Sequence, residues 1–157
     1  MINNTFIKKN FLSIFLISSI FLLDRASKII MIKLAYNIPD LNIKLSPFLN
    51  LNLIWNEGIA FGLFSLDEGS AYQMISLIIF FIIIILVYLI IKSNGYEKLG
   101  YILILGGALG NLFDRIFYNA VPDFIDLHVN NFHWFIFNIA DIFITIGVIC
   151  LILVEIF

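Results

Sequence analysis

The chain has 157 residues, of which 62% are hydrophobic and only 13% are charged. A water-soluble domain of this size does not need so much apolar surface, so the composition indicates an integral membrane protein. The formal net charge of −2 and the lack of a basic patch argue against nucleic-acid binding. The single cysteine, Cys150, excludes an intramolecular disulfide, and the sequence predicts neither a metal site nor a cofactor.

Four apolar segments predict membrane spans, at approximately 11–36, 69–91, 99–115 and 132–154. We expect an all-α integral membrane protein with one membrane-embedded domain covering 1–157, and four spans place both termini on the same side. The first segment is followed by charged residues instead of a small-residue cleavage site, so we expect it to be retained as a span. Lysines and arginines are distributed over both sides, so the positive-inside rule gives no orientation.

The segment between the first two spans is too polar to cross a membrane. Residues 41–45 and 49–53 alternate between apolar and polar, which predicts a small hairpin-like sheet on the membrane surface. A glycine-containing loop at 56–62 follows. In the third span Gly106, Gly107 and Gly110 allow either a neighbouring helix or the backbone of a substrate to approach closely. Residues 118–131 are expected to form a loop.

Carboxylate and carboxamide side chains recur at span ends and in loops on the non-terminal side: Asp24, Asp114, Asp123, Asp126, Asp141, Asn56, Asn111 and Asn138. If 134–147 is one helix, Asn138 and Asp141 lie three positions apart and share a face. An acid at membrane depth costs about 2.5–3.5 kcal/mol on insertion scales, so it normally faces a partner, a cavity or a reaction. The alternative is a carboxylate at a span end that stays neutral or reaches water.

Two close carboxylates share a proton, so one can act as a base while the other acts as an acid. Asp123 lies among apolar residues, which should raise its pKa and make it the best partner for Asp141. Asp114 precedes Arg115 and fits a structural ion pair, which makes it the second candidate; Asp126 is the third.

Two further pairs of charged or polar residues have simpler interpretations. Asp24 and Lys28 have the i,i+4 spacing of an ion pair. His128 and His133 are more typical of interfacial side chains than of metal ligands.

Five segments together resemble the signal peptidase II family, the bacterial prolipoprotein signal peptidases: 24–28, 56–62, 107–115, 121–124 and 137–141. The resemblance implies an aspartic endopeptidase that removes the signal peptide from a diacylglyceryl-modified prolipoprotein, cutting before the lipidated cysteine. It implies Asp123 and Asp141 as the catalytic pair. The residues expected to line the substrate groove are Asn56, Gly58, Asn111, Arg115 and Asn138. Those expected to support it are Asp24, Lys28, Asp114 and Gly110.

The resemblance also implies a location and partners. We expect the bacterial cytoplasmic (inner) membrane, cytoplasmic termini, an extracytoplasmic sheet between the first two spans and an active site near the outer face. Membrane lipid, globomycin-type cyclic peptide inhibitors and a monomeric state are further expectations.

Two positions depart from the family pattern. Pro122 stands where a small apolar residue is usual and Phe135 where proline is frequent, and both are expected to affect loop geometry only.

Two other functions fit intramembrane Asp and Asn residues. A small transporter would have midplane polar groups and an internal repeat, which this sequence lacks. A structural subunit would use Asp141 and Arg115 as assembly contacts.

Overall fold

The computed structural model describes residues 4–57, 68–130 and 132–157, without the side chains of 4–9 and 68–72. Its elements, in chain order, are α1 Asn4–Asn37, β1 Ile43–Ser46, β2 Leu49–Asn56, α2 Glu68–Lys92, α3 Gly95–Tyr118, β3 Val121–Val129, β4 Phe132–Phe137 and α4 Ile139–Ile156. Among the residues that the structure describes, three helical segments are long and apolar enough to cross a membrane: Gln73–Lys92, Gly95–Tyr118 and Ile139–Ile156. The first predicted span falls in α1, and its crossing of the membrane stays a prediction.

Helix α3 lies at the centre of the bundle and contacts each of the other three helices. Its glycines explain these close contacts. A Cβ atom at Gly107 would lie 2.5 Å from the carbonyl oxygen of Ala140 in α4, and one at Gly106 would lie 2.8 Å from Ile20 in α1. At Gly110 a Cβ atom would overlap the Asp24 carboxylate. The glycines therefore admit neighbouring helices, and the idea that they make room for a substrate backbone is wrong.

The four strands form one antiparallel sheet in the order β1-β2-β3-β4. The predicted hairpin corresponds to β1 and β2, but β3 and β4 come from the connection between α3 and α4. The expected loop at 118–131 therefore contains a nine-residue strand, Val121–Val129. The sheet was predicted only between the first two spans, and that prediction is incomplete.

The predicted fourth span began too early. Residues Phe132–Phe137 form β4, and the helix begins only at Ile139. The strand sequence FHWFIF is aromatic and apolar, as is the helix sequence that follows it. Hydrophobicity therefore does not mark where the strand ends and the helix begins, and the predicted span included both. A short apolar run does not distinguish a strand from a buried helix by periodicity. Its aromatic content is the property that favours a strand.

Two apolar clusters hold this arrangement together. In the bundle, Leu86 and Ile90 of α2 pack against Ile102 and Leu105 of α3. At the other end, the second cluster joins the sheet to α1 through Met31, Leu41 and Phe124. Burial of such side chains removes apolar surface from water at about 25 cal/mol per Å². The second cluster, against which Ile139 also packs, fixes the sheet over the ends of α1 and α4.

Candidate active site

Asn138 connects the sheet to α4. It has an extended backbone (φ −128°) and is the N-cap residue of the helix. Its carboxamide oxygen accepts a hydrogen bond from the Asp141 N–H at 3.1 Å, and the Asp141 carboxylate accepts one from the Asn138 N–H, also at 3.1 Å. This reciprocal arrangement is a capping box. The two side chains are neighbours, as predicted, but through the cap and not as two positions on one helical face.

Asp123 lies on β3 beside Asn138. Its carboxylate accepts hydrogen bonds from the carboxamide nitrogens of Asn138 at 2.7 Å and of Asn56 at 2.9 Å. Burial raises the pKa of the Asp123 carboxyl above its ordinary value, and the negative charge of Asp141 acts in the same direction. The two hydrogen bonds oppose this shift without reversing it.

Asn111 in α3 holds Asp141 from the other side. Its amide nitrogen donates to the Asp141 carboxylate at 2.8 Å. Its oxygen accepts hydrogen bonds from the Lys28 ammonium at 2.9 Å and the Asn138 amide nitrogen at 3.2 Å. A cation at the oxygen end of a carboxamide strengthens donation from its nitrogen end. The ammonium of Lys28 therefore strengthens the hydrogen bond from Asn111 to the Asp141 carboxylate.

Lys28 is fully buried and joins three side chains. Its ammonium donates to Asp24 at 2.8 Å and to Asp114 at 2.7 Å, in addition to Asn111. Asp114 also forms an ion pair with Arg25, whose guanidinium lies over the ring of Phe113. The predicted Asp24–Lys28 pair is confirmed. The expected neighbour-based pairing of Asp114 with Arg115 is replaced by pairing with Arg25 and Lys28.

The same network reaches the start of α4. The second carboxylate oxygen of Asp24 accepts a hydrogen bond from the backbone N–H of Ala140 at 3.0 Å. The first N–H groups of a helix lack intrahelical acceptors, and a carboxylate there also meets the positive end of the helix dipole. Asp24 thus binds α1 to the helix end that carries Asp141.

The other predicted residues have different positions. Asp126, the third candidate partner, is fully buried and contacts His133 at 2.7 Å. Arg115 is half-buried in the last turn of α3. Gly58 lies outside the described residues. Arg25 was not predicted, although its position inside the charged segment 24–28 was a usable signal.

Two adjoining cavities open at the carboxylates. One, of about 590 Å³, is lined by Ile54, Trp55, Asn56, Glu57, Asp123, Trp134, Phe135 and Ile136. The other, of about 340 Å³ and almost wholly apolar, is lined by Phe135, Phe137, Asp141, Ile142, Thr145 and Ile146. Phe135 lines both cavities, so its departure from the family pattern concerns the shape of these cavities as well as the loop geometry.

Known proteins resemble this chain in sequence and in structure. A family model described as signal peptidase (SPase) II matches residues 16–157. A lipoprotein signal peptidase of Pelagibacter ubique is 51% identical over 155 residues, which cover 99% of this chain and 93% of that protein. One from Anaplasma phagocytophilum is 41% identical over 150 residues, covering 94% of each chain.

The structural comparison agrees. A solved structure described as a bacterial membrane enzyme, determined by the in meso method at 1.9 Å resolution, is similar with a TM-score of 0.75 and 34% sequence identity. The similarity covers 91% of each chain. A second such structure, at 2.3 Å, gives a TM-score of 0.73 at 34% identity, over 92% of this chain and 87% of the other. The transporter and structural-subunit alternatives receive no support from these matches. The chain belongs to the signal peptidase II family, peptidases that remove signal peptides from prolipoproteins.

Proposed function

We propose that Asp123 and Asp141 are the catalytic pair, and that they cut a diacylglyceryl-modified prolipoprotein just before its lipidated cysteine. The observation that carries this proposal is the position of Asn138, which is hydrogen-bonded to both carboxylates. The other two candidates have different partners. Asp114 pairs with Lys28 and Arg25, and Asp126 contacts His133. Within the described residues, neither Asp123 nor Asp141 forms an ion pair.

The two carboxyl groups have different surroundings, which supports different roles. The raised pKa of Asp123 suits the partner that carries the proton. Asp141 then takes a proton from a water molecule, whose oxygen attacks the carbonyl carbon of the scissile amide. The proton of Asp123 moves to the carbonyl oxygen, which gives a tetrahedral gem-diol. The proton that Asp141 took from water then passes to the amide nitrogen, the C–N bond breaks and the amine leaves, while one hydroxyl of the gem-diol returns its proton to Asp123. Asn56, Asn111 and Asn138 hold the two carboxylates in place, because each donates a side-chain hydrogen bond to one of them.

The two cavities support a placement for the substrate. The larger one, between β2 and β4 beside Asp123, suits the extended segment around the scissile bond. The apolar one along the first turns of α4 suits hydrophobic residues of the signal peptide. Since Phe135 lies between them, it contacts the chain where it passes from one cavity to the other. Globomycin-type cyclic peptides, as competitors, would occupy the same two cavities.

We also propose four spans with α1 as the first, cytoplasmic termini and a site near the outer face of the bacterial inner membrane. Helix α1 packs closely on α3, which is itself apolar enough to cross. The polar network lies where the helices meet the sheet, so the lipid of the substrate can stay in the bilayer while the peptide enters sideways. We also propose that the enzyme works as a monomer in membrane lipid.

The test measures release of the signal peptide from a diacylglyceryl-modified prolipoprotein by purified protein in detergent. We expect Asp123→Asn and Asp141→Asn each to abolish cleavage while they stay folded. Asp40→Asn makes the same chemical change in an exposed turn and should cleave normally. Asp114→Asn should unfold more easily but retain cleavage in its folded fraction. If that variant is inactive when folded and Asp123→Asn still cuts, the partner of Asp141 is misassigned.

A further inference from the structure

Asp126, His128 and His133 form a cluster that the proposed reaction does not use. One donor atom of each side chain lies within 4.8 Å of those of the other two. Asp126 and His128 are buried and alternate along β3 with the exposed Leu127 and Val129, so they lie on one face of the strand. His133 stands opposite His128 on β4, and their rings stack with centroids 5.4 Å apart.

The cluster contains buried polar atoms without hydrogen-bond partners. Within the described residues, these are one carboxylate oxygen of Asp126 and the Nδ1 atom of His128. Asp126 is fully buried and His128 is 7% exposed. The carboxamide oxygen of Asn50, the residue opposite Asp126 on β2, is likewise buried without a partner. Leaving a buried polar group without a hydrogen bond is costly, so three such groups in one place favour a ligand that accepts electron pairs.

We propose that this cluster is a binding site for a divalent transition-metal ion of the zinc type. Two imidazole nitrogens and one carboxylate are a common ligand set for zinc, with a fourth position left for water or another oxygen. Asn50 pairs with Asp126 across β2 and β3, so its side chain lies on the same face of the sheet, and we assign its oxygen as the fourth ligand. Tetrahedral zinc with bonds of about 2.0–2.1 Å separates its ligands by roughly 3.3 Å, so modest side-chain rotations close the site.

Charge also favours a metal ion. A fully buried carboxylate needs a compensating cation. The partner of Asp126 is the Nδ1 atom of His133 at 2.7 Å, and the His133 side chain is 50% exposed. Lys44 lies opposite Asn50 on β1, but it is exposed, so water screens its ammonium. A bound ion would contact Asp126 and His128 together, whereas the contact between Asp126 and His133 leaves the Nδ1 atom of His128 without a partner. The sequence alone favoured interfacial histidines because it did not place Asp126 beside them.

The experiment uses full-length protein in detergent, purified with a tag that contains no histidine and stripped with a chelator. Zinc is then added, and bound metal is measured against an indicator. We expect one zinc ion per chain. At free zinc one hundred times the Kd, mass action adds about 2.7 kcal/mol to stability, which raises Tm by about 5–10 °C for a chain of this length. Cobalt in place of zinc should give the visible absorption of a tetrahedral ion.

The matched variants are His133→Ala and His128→Ala, because the chain has only these two histidines. Each should weaken zinc binding by more than about tenfold, since even second-shell losses cost 10–100-fold. His133→Ala removes a half-exposed side chain and should fold, which keeps the test valid if His128→Ala does not. Asp40→Asn should bind zinc like the wild type. The proposal is overturned if wild type binds no zinc, if His133→Ala binds it equally well, or if magnesium stabilises the protein as much as zinc. The result is independent of the catalytic proposal, because metal binding is measured without substrate.

Discussion

Lys28→Met is the substitution for which the structure gives the sharpest expectation. The ammonium of Lys28 is fully buried and donates to Asp24, Asn111 and Asp114 at 2.7–2.9 Å. Methionine has a similar length and no charge, so it fills most of the space but leaves the two carboxylates without their shared cation. Arg25 still pairs with Asp114, so the carboxylate that is left without a compensating cation is that of Asp24.

The size of the effect follows from burial. Breaking a buried ion pair by removing one partner costs about 3–5 kcal/mol, because an uncompensated charge is left behind. For a chain of this length 1 kcal/mol corresponds to about 2–4 °C in Tm. We therefore expect Lys28→Met to lower Tm by about 6–20 °C in detergent. Cleavage by the folded fraction should also fall, because Asn111 loses the cation that polarises it towards Asp141.

A control variant and a second-site variant distinguish the loss of this buried ion pair from the mere loss of a lysine. Lys33→Met alters an exposed lysine of the same helix and should leave Tm nearly unchanged. Adding Asp24→Asn to Lys28→Met removes the uncompensated carboxylate and should restore part of the lost stability. A Lys28→Met variant that melts within about 2 °C of wild type, well below the shift expected for a buried ion pair, would refute the argument.

Two other expectations concern Asp123 and Gly107. Burial raises the pKa of Asp123 above 3.8, so its protonated form stabilises the fold fully below that pH and this contribution is lost as pH rises through the raised value. Wild type should thus lose stability relative to Asp123→Asn as pH rises above about 4, and parallel thermal-unfolding profiles would contradict this. Gly107→Ala should lower the free energy of unfolding by about 1–3 kcal/mol, because the new Cβ meets the Ala140 carbonyl. An unchanged unfolding midpoint would show that α4 can shift away from the new methyl group without loss of stability.

The helices were predictable because membrane helices have a strong compositional signal. Helices α2 and α3 extend beyond the predicted spans by between one and four residues at each end. The sheet was only half predicted. Alternation at 41–53 indicated β1 and β2, whereas Pro122 and the polar residues of β3 looked like a loop. That segment becomes a strand because β2 and β4 pair with it on both sides, which is a tertiary effect.

The polar residues of the site were found by type, but their pairing needed three dimensions. Sequence placed Asp114 next to Arg115, while the fold gives it Arg25 from another helix. The separate tasks of Asn111 and Asn138 could not be inferred either, because each contacts residues from elements far apart in the chain. The i,i+4 pair of Asp24 and Lys28 was accessible because helix geometry alone sets it.

The sheet has a consequence for how the protein is made. Strand β2, Leu49–Asn56, pairs with β3, Val121–Val129, and all of α2 and α3 lies between them in sequence. Asn56 can therefore reach Asp123, 67 residues later, only after both intervening helices have entered the membrane. Non-local pairing of this kind forms late in folding. A chain still emerging from the ribosome thus lacks the completed carboxylate site until the residues up to Asp141 have been synthesised and inserted.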